Sequence, residues 1–174
     1  MRGKFRELHQ AYQEFEQNLI RNGQLPMRQT KDGFWGTSNL IAMFELFNKI
    51  DLSRFRHFAD LGSGDGRITI LAALFTKATG VESDEKLFGI ANDMKKRLGS
   101  KANFVNEDFL SHDLSKYDFI FMYPDKRFEK EFEEKIMREF KGEIFIYNNI
   151  FLPEKLKKGR TYWFDQVPII RYTP

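Results

Sequence analysis

The chain has 174 residues, enough for one domain with a substantial core, and its 41% hydrophobic and 30% charged residues are those of an ordinary soluble globular protein. A net charge of +3 is too small to read as a nucleic-acid footprint. There is no cysteine, which excludes disulfides, Cys-ligated zinc and thiol nucleophiles; His9, His57 and His112 share no metal-ligand spacing, so no metal is expected.

No apolar run has the length of a membrane span, and the basic start Met1–Arg6 lacks the apolar core of a signal peptide. A cytoplasmic protein with no membrane partner is expected. Phe5, Leu8, Tyr12, Phe15 and Leu19 form one helical stripe over Lys4–Ile20, with Gly23 as the stop. That helix reads as a cover on the core, or more sharply as a cap over a ligand or a partner-binding helix. Leu25–Ser38 reads as a loop punctuated by Pro26, Gly33 and Gly36, with the pair Phe34-Trp35 in need of burial. A second helix is expected from a cap at Thr37 or Ser38, with Leu40, Met43, Phe44 and Phe47 on its apolar face.

Strands and helices then alternate. Arg56–Leu61, Ala78–Glu82, Ala102–Asn106, Tyr117–Tyr123 and Glu143–Tyr147 read as strands. Arg67–Thr76, Asp84–Leu98 (capped by Ser83, stopped by Gly99) and Arg127–Phe140 read as helices between them. Pro153–Lys158 reads as a helical turn, and Thr161–Gln166 with Ile169–Tyr172 as a terminal antiparallel pair around Pro168. The alternation predicts an α/β protein with a mostly parallel sheet and right-handed crossovers.

The most informative stretch is Phe58–Leu71. An apolar strand ends at Asp60, glycines follow at Gly62, Gly64 and Gly66, and a helical pattern starts at once. Such a loop usually cradles phosphate, but a phosphate site avoids nearby anions. Here Asp60 precedes the loop and Asp65 sits inside it. Arg67 stands where a dinucleotide loop needs Gly or Ala, and there is no Gly-Lys-Ser/Thr. The acids suit a ligand that is cationic near the loop and carries no phosphate; S-adenosylmethionine (SAM) fits. Glu82 follows Asp60 by 22 residues, at the end of the next strand, where a carboxylate can accept both ribose hydroxyls. Asp108 can accept from the adenine amino group, with Phe109 against the ring. Alone, Glu82 or Asp108 would also read as a helix cap or solvated acid; at consecutive strand ends they point to a ligand.

Asp60-Leu-Gly-Ser63-Gly-Asp-Gly-Arg67, the later Glu82 and Asn106-x-Asp108 resemble the motifs of class I SAM-dependent methyltransferases. With Ala72-Ala73 and Phe119-Ile-Phe-Met-Tyr-Pro124, the chain looks like the small archaeal and mitochondrial protein-lysine methyltransferases. The resemblance implies a Rossmann-like sandwich: a mostly parallel seven-stranded sheet with an antiparallel C-terminal strand and an N-terminal helical cap. It implies one domain over 1–174, with 1–36 as cap and 37–174 as core. It implies SAM bound by Asp60, Gly62, Ser63, Gly64, Asp65, Gly66, Glu82, Asp108 and Phe109. In that family a Pro-Thr-Pro-like segment closes over SAM; here the place corresponds to Trp35-Gly-Thr37-Ser38, without the prolines, which makes Thr37 the contact.

The fourth strand end borders the transferred methyl. Enzymes acting on base nitrogens or glutamine carry Asn/Asp-Pro-Pro-Tyr/Phe there, whereas this chain has Tyr123-Pro124-Asp125-Lys126. The lysine reading makes Tyr123 a wall of the acceptor channel, and Asp125 the group that orients the amine or takes its proton. In the alternative, Asp125 caps the next helix and Tyr123 packs. Asn148-Asn149 could face the target or form a loop. A protein substrate is expected; an RNA substrate, or a non-catalytic SAM-binding scaffold, is the competing expectation.

Overall fold

Strand residues that alternate between two faces decide the architecture. In the computed structural model, which describes residues 1–31, 33–164 and 166–174, Phe58, Phe119, Phe121 and Phe145 face one core, while Ala59, Ile120, Met122, Ile144 and Ile146 face another. Asp32, inside the expected loop, and Asp165, inside the expected strand Thr161–Gln166, lie outside the described residues.

The elements are α1 (Arg2–Arg21), β1 (Met27–Gln29), β2 (Phe34–Gly36), α2 (Leu40–Lys49), β3 (His57–Leu61), α3 (Arg67–Ala72), β4 (Lys77–Val81), α4 (Glu85–Arg97), β5 (Asn103–Val105), β6 (Phe119–Met122), α5 (Lys130–Glu139), β7 (Glu143–Tyr147), β8 (Lys157–Phe164) and β9 (Val167–Thr173), with a 3-10 turn at Leu52–Arg54. The main sheet has seven strands in the order β5-β4-β3-β6-β7-β9-β8. β5, β4, β3, β6 and β7 are parallel; β9 runs antiparallel to β7, and β8 to β9. This is the expected α/β Rossmann-like sandwich. Helices α1 to α4 contribute to the first core, and α5 supplies Phe132 and Ile136 to the second.

The many phenylalanines have a use. Phe58, Phe119 and Phe145 stack across β3, β6 and β7 with ring centroids 5.3 and 4.8 Å apart. All three are fully buried, and each such ring removes a large apolar area from water.

Several local expectations are corrected. Leu25–Ser38 is not plain loop: β1 and β2 pair in a small antiparallel ribbon, Met27 opposite Gly36 and Gln29 opposite Phe34. Helix α2 is capped by Asn39, not Thr37 or Ser38; its Oδ1 accepts the N–H groups of Ile41 and Ala42 at 3.0 and 3.1 Å. Helix α4 is capped by Asp84, not Ser83; Oδ1 accepts the Leu87 N–H at 2.9 Å. Pro153–Lys158 holds no helical turn, and Lys157 already begins β8. Pro168 lies inside β9, opposite Trp163, near the hairpin turn. Among the described residues no helix is long and apolar enough to cross a membrane.

The chain leaves β3 toward the β4–β5 edge and returns to β6 on the other side. The crevice between β3 and β6, at the carboxyl ends of the strands, is where such a sheet takes its ligand.

Candidate active site

A cavity of about 680 Å³ occupies that crevice. Of the twelve residues singled out from the sequence, eleven line it: Thr37, Asp60, Gly62, Ser63, Gly64, Asp65, Glu82, Asp108, Phe109, Tyr123 and Asp125. Gly66 does not. It has φ +81°, and a Cβ there would stand 2.6 Å from the Phe104 ring and 2.8 Å from Ala91 Cβ. Its part is to let α4 and β5 close on the loop. Gly66→Ala should lower stability by about 2–4 kcal/mol, from the left-handed backbone and the clash together, which a thermal melt reads as a large drop in Tm.

Gly62, with φ +75°, has open space where a Cβ would stand, so ligand atoms can approach the backbone. Gly64 is covered instead: Trp35 lies over it, and a Cβ would meet the indole at 2.7 Å. Trp35 is the residue that sequence reasoning missed. Its flanking glycines signalled a side chain in search of burial, but not that the β1–β2 ribbon carries it across to the cofactor loop. Phe34, half exposed on the same ribbon, and Phe121, Met122 and Phe132 also line the cavity.

The acids divide into two kinds. Asp65 is neutralised: the Arg67 guanidinium forks onto it, with Nε 3.1 Å from each oxygen and Nη2 2.7 Å from Oδ2. Asp65 therefore does not act as an open acid facing a cation, as its place in the loop suggested. Asp60 and Glu82 have no ion-pair partner among the described residues. Asp60 is 3% exposed and accepts the Thr69 hydroxyl at 2.8 Å. Burial pushes its carboxyl up to about 7; the Thr69 hydrogen bond opposes this, and the charges of Glu82 and Asp65 add to it. Glu82 accepts the Gly64 N–H at 2.7 Å and the Asp84 N–H at 2.8 Å. Burial lifts its carboxyl above the ordinary value, and the N–H groups of Asp84 and Gly64 pull it back. The Ser83 N–H adds to that pull, and a carboxylate offers about four lone-pair sites, so the three N–H groups leave room for a ligand donor.

Asp108 is exposed at the rim; its Oδ1 accepts the Leu110 N–H at 2.9 Å. Phe109 packs on Phe132 with centroids 4.9 Å apart. At the β6 end, Tyr123 is half exposed, its ring 4.6 Å from that of Tyr147. The Tyr147 hydroxyl accepts the Asn39 N–H at 3.3 Å. Asp125 does not cap α5, whose first turn has Glu129 at the N-cap position and no side-chain cap hydrogen bond. Instead its Oδ2 accepts the Phe34 N–H, clasping the β1–β2 ribbon over the cavity, while Oδ1 has no hydrogen bond among the described residues. Asn148 lines the cavity in a left-handed conformation, φ 75°. His57 and His112 do not line it. His112 is buried between Glu107, at 2.6 Å, and the Tyr117 hydroxyl, at 2.8 Å, as a packing residue.

Residues 60–157, more than half of the chain, match the family described as ANTKMT methyltransferase domain. The chain belongs to this methyltransferase family. It is a class I SAM-dependent methyltransferase, and its cofactor is SAM. Among curated proteins there is no match. Solved structures of similar fold include an RNA methyltransferase from Salinibacter ruber in complex with S-adenosyl-L-homocysteine (TM-score 0.68, 23% identity, 80% of this chain and 93% of that one). Another is the protein described as "putative methyltransferase yhhF" from Escherichia coli (TM-score 0.62, 17% identity, 78% of this chain and 86% of that one). A third is a T. thermophilus 16S rRNA N2 methyltransferase in complex with AdoMet and guanosine (TM-score 0.60, 17% identity, 79% of this chain and 44% of that one). At these identities the likeness is one of fold.

The ANTKMT-family cavity fits the cofactor by its donor set. Two buried acids without counter-ions suit a sulfonium or an ammonium, and Gly62 leaves room beside the backbone. Arg67, which follows the loop in sequence, is already paired with Asp65 and Glu16.

Proposed function

We propose that the protein transfers methyl groups from SAM to the side-chain amine of a lysine in a protein substrate. In this reading Asp60 faces the cationic amino-acid end of SAM, with Gly62, Ser63 and Gly64 beside it. Glu82 takes the ribose hydroxyls, and Asp108 and Phe109 the adenine. Thr37 closes from the ribbon side. The whole chain acts as one methyltransferase domain, in which the β1–β2 ribbon covers the cavity while α1 stays behind the loop.

The observation that carries the lysine assignment is the corner at the end of β6. Tyr123 stands half exposed against Tyr147, and Asp125 keeps one carboxylate oxygen open beside Pro124. No Asn-Pro-Pro-Tyr-type amide clamp for a base is present in the sequence. Membership of the ANTKMT family supports the same assignment.

Bound SAM supplies a methyl group on a sulfonium, open to in-line displacement. A lysine must first lose its proton, which costs about 4–5 kcal/mol at pH 7. The aromatic walls of Tyr123 and Phe34 lower that cost by disfavouring the ammonium. Asp125 Oδ1 accepts a hydrogen bond from the neutral amine and so aims its lone pair. Two consequences follow. The rate should rise about tenfold per pH unit from pH 7 to 9, as the neutral amine accumulates. Asp125→Asn, which keeps an oxygen for the Phe34 N–H, should lower kcat roughly ten- to a hundredfold and leave the SAM Kd unchanged.

The test is to incubate the protein with methyl-labelled SAM and a cell extract, then divide the product between protease and RNase. Label lost to protease supports the proposal. Label lost to RNase assigns the acceptor to RNA, and no label at all favours a non-catalytic SAM-binding scaffold.

A further inference from the structure

We propose that helix α1, which contributes no residue to the cavity lining, holds the cofactor loop in its binding conformation, with Tyr12 and Glu16 as positioning residues. This role concerns SAM binding alone and does not depend on the acceptor.

The loop has little preference of its own. Gly62, Gly64 and Gly66 all adopt left-handed backbone, and glycine loses more conformational freedom on ordering than any other residue. Something outside the loop must select this state from many. Two groups of α1 reach it. Tyr12, 1% exposed, donates its hydroxyl hydrogen to the backbone carbonyl of Asp65 at 2.9 Å. Burial is the main cause that raises its phenol well above the ordinary value, so it remains a donor at every physiological pH. Glu16 accepts from Arg67 Nη1 at 2.7 Å.

Arg67 joins the two contacts. Its guanidinium is buried, forks onto Asp65, binds Glu16 and lies 4.9 Å from the centre of the Tyr12 ring. Burial works against its charge, and the carboxylates of Asp65 and Glu16 outweigh that. A planar fork of this kind fixes orientation as well as charge. The loop is thus held from behind by α1, through Asp65, and from in front by Trp35, over Gly64. Both holds come from the same N-terminal segment, which runs from α1 directly into the β1–β2 ribbon.

The bland alternative is that α1 only covers the core with Leu8, Ala11 and Tyr12. The two accounts separate in binding. Tyr12→Phe keeps the ring and removes the hydroxyl; Glu16→Ala removes the second hold at a partly exposed position. Ala11→Gly weakens the same helix and has no contact with the loop's polar groups. SAM affinity by calorimetry, well below every melting temperature, and hydrogen exchange of the 62–67 amides in ligand-free protein are the readouts. Tyr12→Phe should weaken SAM about tenfold and speed exchange of these amides, since the Asp65 carbonyl loses its buried donor. Glu16→Ala should weaken SAM about threefold, as suits a partly exposed ion pair. Ala11→Gly should lower Tm and leave the SAM Kd at the wild-type value. If Tyr12→Phe does not fold, Glu16→Ala against Ala11→Gly decides. Wild-type affinity in Tyr12→Phe and Glu16→Ala, or a loss in Ala11→Gly as large as theirs, would overturn the proposal.

Discussion

Asp60→Asn is expected to make the ligand-free protein more stable at pH 8 while it abolishes SAM binding. The carboxyl is buried, Thr69 donates to it from its hydroxyl and its backbone N–H, and burial raises it to about 7. A carboxyl whose value is higher in the folded chain than in the unfolded chain is held more tightly as the acid when folded. Stability therefore falls as pH rises through the window from about 4 to about 7, and the full cost stands above pH 7. Moving a carboxyl that far is worth on the order of 4 kcal/mol. Asparagine keeps the shape and an oxygen for Thr69 but carries no charge to bury. At pH 8 the variant should melt about 5 °C or more above the wild type, and the gap should close toward pH 4. SAM should no longer raise its Tm, because the counter-charge for the cationic end is gone. In the wild type, a cationic ligand should ionise Asp60 on binding, so affinity should rise between pH 6 and 7.5; in the variant that rise should vanish. A variant that melts lower than wild type at pH 8 would show that the buried charge carries no such cost, and one that still binds SAM with wild-type affinity would show that Asp60 is not the counter-charge for the cationic end of SAM.

Glu82→Gln should also lose SAM, with the opposite effect on the free protein. The Glu82 carboxylate accepts the backbone N–H groups of Gly64 and Asp84 on its two oxygens, and thereby ties the glycine loop to the start of α4. A carboxamide can accept at only one end; its NH2 then faces the other N–H. One buried donor is left without a partner, at a cost of about 1–3 kcal/mol. The ribose hydroxyls lose their charged acceptor at the same time. Two charge-assisted hydrogen bonds are at stake, so SAM affinity should fall roughly a hundredfold or more. Calorimetry gives the affinity and a melt gives the stability. SAM binding within about threefold of wild type would show that ribose recognition lies elsewhere.

What the sequence allowed and what it hid follow from the range of the interactions. The parallel sheet was legible because each strand–loop–helix unit is local, and its strand ends carry polar residues in register with one another. Asp60, Glu82 and Asp108 could be placed around one ligand for that reason. Asp65 was misread because the geometry that closes its pairing is not local. Arg67 is close in sequence, but the fork closes only because the loop turns at Gly66, and Glu16 arrives from a helix 51 residues away in the chain. The β1–β2 ribbon was hidden because each strand has three residues, too few to show alternation. Its consequence for Asp125 was equally hidden: the carboxylate that looked like a helix cap holds Phe34 instead. Cap choice failed at Ser38 and Ser83 because the neighbouring Asn39 and Asp84 cap equally well, and the path of the chain decides between them.

The central claim is that this SAM site serves a lysine amine. Mass spectrometry of the protein that accepts the label tests it most directly, by locating the methyl group to an atom. Methyl is expected on lysine Nζ, with the yield falling in Asp125→Asn. Methyl on a glutamine, arginine or histidine nitrogen, or on an RNA base, would contradict it.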